Sequence, residues 1–347
     1  MDINKPDEYK KLDSLGVEKA LSLFPEQIKE AWKQASVFDI PSLTPASVLI
    51  SGMGGSSNAA KILQGVFEED LKYPLEIRSD YGIPAWVDSE TLVVANSYSG
   101  NTEETLSAIE AARKAGAKVM GVATGGKIGE MVTSKAIPGA VVSPGATNPT
   151  GFPKTGLGVS LGALAAVLSK AGVLPLSESV LFSAVDDMVE IRKSWEAKEV
   201  SSWLHGSTPV FFGGKPLVGA LNAGRNATCE ISRNFTQFYD FPEVNHVLIE
   251  ALQKPEQVKK NKYLFFESNF NHPRVKERYE ITKGILTEMG LEHRTYLLKG
   301  SSKLSQSLEL AHFCGWLGFY LALLDDTDPG PEPWIIKLKQ SLAQPTH

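Results

Sequence analysis

Two apolar runs, each ending in a turn of small residues that opens an amphipathic stretch, constrain this chain more than any other feature. Ser47–Ser51 (SVLIS) runs into GMGGSS at 52–57, and Thr91–Ala95 (TLVVA) runs into NSYSGNTEET at 96–105. Short apolar runs alternating with helical stretches mark strands of a parallel α/β sheet, which are buried on both faces. Leu75–Arg78, Lys118–Ala123 and Ala140–Val142 supply three more such runs, and Thr102–Ala115 is the clearest helix between them. A helical segment over residues 1–44 followed by one sheet, complete by about residue 145, is therefore predicted.

The pattern then restarts. A Pro/Gly-rich passage, Ser143 to Gly158, leads into helical runs at Val159–Leu168 and from Ser177 to about Val200. Thr208–Phe212 runs into GGK much as SVLIS runs into GMGG. Phe235–Tyr239, Tyr263–Phe266 and Arg294–Leu298 read as strands, and Val275–Met289 as a helix. The offset between GMGG and FGG is 160 residues, too long for a solenoid repeat, so it reads as two copies of one domain. A length of 347 residues suits two domains, set at 45–175 and 176–347. A long apolar helix, Leu304–Leu324, a DDTDPGPEP turn and a last helix containing Trp334–Leu342 close the chain.

Composition removes several classes of function. With 35 Lys+Arg against 40 Asp+Glu, the net charge of −5 offers no basic surface for nucleic acid or an anionic membrane. The polar opening MDINKPDEYKKLDSLG is not expected to act as a leader. The run Cys314–Leu324 is shorter than the roughly 20 apolar residues that span a bilayer. Two cysteines, Cys229 and Cys314, make no disulfide framework and suit a reducing cytoplasm. The six histidines show no paired metal-ligand spacing. The expectation is a soluble cytoplasmic protein that uses neither metal nor other cofactor and binds neither nucleic acid nor membrane.

The decapeptide NSYSGNTEET carries the most chemistry. Ser97, Ser99, Asn101 and Thr102 crowd short polar side chains into a turn that Gly100 allows to be tight. The N–H groups at a helix N-terminus carry partial positive charge and suit an anion, and the hydroxyls of Ser97, Ser99 and Thr102 add donors. The plainer alternative is a helix cap, Asn101 with Glu104 three residues later, but a cap needs one such side chain, not four. GMGGSS, with Gly54, Gly55 and Ser56, also ends a strand on the edge where open α/β sheets bind ligands. It matches neither a dinucleotide loop, since Asn58 stands where the last glycine should be, nor a Walker A loop.

These two loops resemble the sugar isomerase (SIS) domain, a flavodoxin-like fold whose S-x-S-G-x-T loop holds the phosphate of a phosphosugar. The second half sharpens the resemblance. Glu230 within CEISR and His246 at the end of PEVNH lie sixteen residues apart. That spacing is similar to the catalytic Glu and His of the bifunctional phosphoglucose/phosphomannose isomerases, which have two tandem SIS domains. The resemblance implies two flavodoxin-like units, each with a mainly parallel five-stranded sheet flanked by helices. It implies that Glu230 is the proton-shuttling base, that His246 opens the sugar ring, and that Lys339, in Leu338-Lys339, assists. It also implies a phosphorylated hexose substrate and a homodimer whose active site is shared between subunits, with His246 arriving from the neighbour.

The chain departs from the family pattern in two places. Arg233 stands for the usual lysine after the catalytic Glu, and Lys154 for the arginine that steadies the enediolate. Lysine keeps the charge but not the planar fork of donors. The counterpart of the phosphate loop in the second half, ESNFNHP, lacks the S-x-S-G-x-T pattern, so one phosphate site per chain is expected. Two other readings stay open: a sensor that binds phosphosugar without turnover, and an aminosugar phosphate isomerase.

Overall fold

The computed structural model of the protein describes residues 1–342; the last residues of the expected second domain, 343–347, lie outside the described residues. Three helices open the chain, α1 (Pro6–Tyr9), α2 (Val17–Ser22) and α3 (Phe24–Ser36). The first sheet comprises β1 (Ser47–Ser51), β2 (Leu75–Arg78), β3 (Thr91–Ser97), β4 (Lys118–Ala123) and β5 (Gly139–Val141). Its order is β2-β1-β3-β4-β5 and every pairing is parallel. All seven residues of β3 are buried, which is why the strand reads as a continuous apolar run without alternation. Helices α4 (Gly54–Phe67), α5 (Glu103–Lys114) and α6 (Gly126–Thr133) connect these strands, and α7 (Leu157–Lys170) lies against α3.

The second sheet contains β6 (Thr208–Gly214), β7 (Gln237–Phe241), β8 (Asn261–Glu267) and β9 (His293–Leu297), in the order β7-β6-β8-β9, again all parallel. Four strands, not the five expected, make up this sheet. After β9 the chain passes through only Leu298–Ser302 before Ser302 caps the next helix with Ser305 in a reciprocal capping box, so a fifth strand has no room to form. β7 also begins two residues later than its apolar pattern suggests, because Thr236 N–H is drawn to Cys229 Sγ at 3.4 Å and Phe235 projects into solvent. The helical run after Ser177 divides into α8 (Glu178–Arg192) and α9 (Ala197–Leu204). Helices α10 (Val218–Ser232), α11 (Val244–Ala251), α12 (Pro255–Val258) and α13 (Pro273–Glu288) link or flank the second sheet, and α14 (Lys303–Leu324) and α15 (Pro333–Leu342) end it.

The halves are joined through α4 and α10, which follow the first strand of each. Asn58 accepts from Asn222 Nδ2 at 2.8 Å and Asn226 Nδ2 at 3.2 Å across this contact, so the residue that breaks the dinucleotide pattern is a bridge between the halves. A Cβ at Gly219 would sit 2.1 Å from the Lys61 carbonyl; the bare backbone lets the helices touch. One hydrophobic cluster runs from Ile28 and Leu164 through Val48 and Leu221 to Phe266 and Phe313. At 22 residues, α14 is long and apolar enough to cross a membrane by length and composition, which the shorter run Cys314–Leu324 did not suggest. It is instead the buried core helix of the second half. Its buried carboxylate is answered from within: Glu309 accepts from Tyr296 Oη and the backbone of Lys299 and Gly300, each at 3.0 Å.

Candidate active site

The carboxyl ends of β1 and β3 open side by side at the point where the strand order reverses, and a cavity of about 510 Å³ lies outside them. Its floor is the loop after β3. Gly100 has φ +69°, and a Cβ there would lie 1.8 Å from the Gly125 carbonyl, so only glycine fits this turn. Ser99, Asn101 and Thr102 line the cavity. Ser97 does not: its buried hydroxyl sits 2.7 Å from Thr102 Oγ1 and accepts from Gly100 N–H at 3.1 Å, bracing the loop from behind. The capping alternative is not realised. Thr102 is the N-cap of α5 and makes no side-chain cap, while Asn101 Oδ1 accepts from Lys127 N–H at 3.0 Å. Among the described residues, the first N–H groups of α5 are thereby left without a side-chain partner at the cavity.

The loop after β1 is the facing wall. Gly54, Gly55 and Ser56 line the cavity, and Ser56 Oγ accepts from Tyr98 N–H at 2.9 Å, tying the two loops together. A Cβ at the preceding Gly52 would meet the Asn96 carbonyl at 2.7 Å, so the glycines also let adjacent strand ends converge.

The opposite wall comes from the second half and from the turn 153–155. Glu230, near the end of α10, faces the cavity together with Lys154, Glu332 and, from α15, Lys339. Burial raises the Glu230 carboxyl to about 7, and the neighbouring Glu332 charge adds to the rise; Lys154, Arg225 and Lys339 oppose it. Lys154 Nζ donates to the carbonyls of Pro329 at 2.9 Å and Gly330 at 2.7 Å, and lies 3.5 Å from Glu332 Oε1. Burial lowers the pKa of this ammonium, with Glu332 opposing. Arg225 is turned toward Asn222 Oδ1 and stacks on Phe238, its guanidinium 5.6 Å from the ring centre.

His246 stands apart. It occupies the first turn of α11, where its N–H donates to the Glu243 carbonyl at 2.9 Å, and its side chain is exposed and outside the cavity. The motif around it is structural on the other side. Asn245 donates to Thr282 Oγ1 at 2.8 Å and accepts from Arg278 at 3.2 Å, fastening α11 to α13. Only Val244 of α11 is buried, and no residue of α15 is, with Trp334 77% exposed and Leu338 59% exposed.

Sequence reasoning missed Glu332, Tyr81 and Tyr98, all of which line the cavity. Tyr98 had a signal, since it lies inside the SYSGNT motif, and Asn148 fixes its hydroxyl at 2.7 Å. Glu332 had none beyond its place in the DPGPEP turn. A larger cavity, about 740 Å³, lies at the carboxyl ends of the second sheet, but its Lys215 and Lys303 are paired with Glu68 and Glu69. Among the described residues no group of three or more His, Cys, Asp or Glu is placed to hold a metal ion.

Residues 193–342 match the family described as bacterial phospho-glucose isomerase C-terminal SIS domain. A bifunctional phosphoglucose/phosphomannose isomerase of Caldicellulosiruptor bescii is 29% identical over 335 residues, covering 92% of this chain and 97% of that one. The protein of the same name from Aquifex aeolicus is 32% identical over 310 residues, covering 87% and 92%. A hypothetical protein of Thermus thermophilus shares the fold, with a TM-score of 0.73 at 14% identity over 97% of this chain and 94% of that one. With relatives of this identity aligned over nearly their whole length, and two all-parallel sheets with a loop-lined cavity at the carboxyl ends of the first, the chain belongs to the bifunctional phosphoglucose/phosphomannose isomerase family.

Proposed function

We propose that the chain interconverts glucose 6-phosphate, and mannose 6-phosphate, with fructose 6-phosphate through a cis-enediol. The observation that carries this reading is the shared cavity, which has a phosphate-type loop on one side and Glu230 with Lys154 and Lys339 on the other. Ser99, Thr102 and the first N–H groups of α5 hold the phosphate, which Gly54, Gly55 and Ser56 face, while Ser97 keeps the loop in shape. Glu230, ionised, takes the proton from C2 of the open-chain aldose and returns it to C1. A carboxyl titrating near 7 is well matched to exchange at neutral pH. Lys154 and Lys339 supply the positive charge that favours an enediolate oxygen.

Ring opening needs a further acid/base, and in this reading His246 provides it from a neighbouring subunit. The two apolar helices that bury almost nothing, α11 with exposed Val247 and α15 with exposed Trp334 and Leu338, supply surface for a two-fold homodimer. The division into SIS units at 45–175 and 176–347 and a cytoplasmic location belong to the same proposal.

Coupled assays on the two aldose phosphates test the reading directly. Formation of fructose 6-phosphate from either, abolished by Glu230→Gln, is the expected result. Saturable binding of both sugars with no turnover by the wild type would make the chain a phosphosugar sensor instead.

A further inference from the structure

The segment 328–332, which carries α15 to the cavity, is held by two cations. Arg233 ends α10 in left-handed backbone at φ +64°. Its Nη1 donates to the carbonyls of Glu230 at 2.6 Å and Ile231 at 2.8 Å, and its Nη2 to those of Asp328 at 3.1 Å and Pro331. Lys154 completes the clasp from the other side. Its ammonium donates to the carbonyls of Pro329 and Gly330 and forms an ion pair with Glu332 Oε1 at 3.5 Å. The Lys154 side chain is 1% exposed and that of Glu332 9%. The lysine in the place of the family's arginine is thus committed to the C-terminal turn, and it brings a second carboxylate into the wall beside Glu230.

We propose that Glu332 is a positioning residue, which anchors Lys154 on the C-terminal turn and, through its charge and its claim on that lysine, governs when Glu230 holds its proton. The inference rests on the reading of Glu230 as the base. Two carboxylates in one sheltered cleft disfavour each other's ionisation, and a lysine lining the same cleft favours both. The charges that act on Glu230 come from several elements: Arg225 on its own helix, Lys154 from the turn 153–155, Lys339 on α15, and Glu332 ahead of it. Glu103 and Glu104 at the start of α5 line the same cavity. Of the neighbouring charges, that of Glu332 adds to the rise that burial produces. Removing its charge leaves burial to oppose Lys154, Arg225 and Lys339 without that help, so Glu230 gives up its proton in more acidic solution.

Glu332→Gln keeps the size and an oxygen acceptor for Lys154 while deleting the charge. Titration of Glu230 is read by carbon NMR on glutamate-labelled protein, with the resonance assigned through Glu230→Gln, so the measurement does not need turnover. The titration is expected to move to lower pH by about one unit, and the acid limb of kcat/KM to move with it. Lys154→Gln should move the titration the opposite way, a reversal that simple loosening of the turn would not produce. If both folded variants titrate Glu230 as the wild type does, the inference is overturned. If the titration moves as expected but the wild type never isomerises either sugar, the coupling stands and the base assignment falls.

Discussion

At the residue scale the site is a problem of charge held in a sheltered cleft. Glu230 must lose its proton to act as a base, and burial resists that until about pH 7. The rate should therefore climb as pH rises through 7, with the acid limb absent from Glu230→Gln, whose isomerisation falls by a factor on the order of 10²–10⁴ while sugar binding persists. Stability runs the other way. A carboxyl whose pKa is raised by folding contributes stability in acid, where it is neutral in both states, and loses it as pH rises from its ordinary value through about 7. Glu230→Gln mimics the neutral form, so its melting temperature should gain on the wild type between pH 5 and pH 8. On the anion side, Ser99→Ala and Thr102→Ala should each weaken sugar phosphate binding by about 1.5–3 kcal/mol, the worth of one hydrogen bond to a charged group. Calorimetry reads both, and Thr102 should cost more because Ser97 Oγ loses its partner as well.

At the scale of elements, close approach decides the geometry. The loop that opens α5 exists because Gly100 can take φ +69° against the Gly125 carbonyl. Gly100→Ala should abolish phosphate binding while leaving the β3–β4 pairing in place, a contrast visible as lost calorimetric heat with little change in far-UV circular dichroism. The α4–α10 crossing has the same dependence on a missing side chain. With its Cβ 2.1 Å from the Lys61 carbonyl, Gly219→Ala forces the helices apart and should destabilise the fold by about 1–3 kcal/mol, as overpacking does. Because α10 carries Glu230, the same variant should also lower kcat, by an amount that a urea titration alone does not report.

At the scale of the whole molecule, the cavity is assembled from both halves. The first half brings the loops, the second brings Glu230, and the C-terminal segment returns to supply Glu332 and Lys339. His246 sits outside, on a helix whose apolar face is open to solvent. In the homodimer proposed above, mixing inactive Glu230→Gln chains with inactive His246→Ala chains should restore activity, because one of the two sites in a mixed dimer then has both residues intact. Mixed dimers verified by mass that stay inactive would put both residues in the same subunit's site.

Much of this was written in the sequence. Strand positions in the first half follow from apolar runs such as TLVVA, since burial on both faces leaves no polar position to hide the strand. The loop SYSGNT declared itself because its residues are local: one turn needs its glycine, and its hydroxyls lie within six positions. The second sheet was legible strand by strand but not in number, because whether Leu298–Ser302 continues as strand or caps a helix depends on what packs beside it. The split of the helical run near Trp195 and the burial of α14 were decided by packing in the same way. Charge pairing was the least legible. Lys154 and Glu332 are separated by more than half the chain, and nothing in either local pattern says that they lie 3.5 Å apart. Local residues determine local backbone, so the sequence alone determined the first sheet's strands and the phosphate-type loop, and its resemblance to a family pointed to the candidate base. The field acting on that base is a sum over distances between distant segments, and only the tertiary structure decides those.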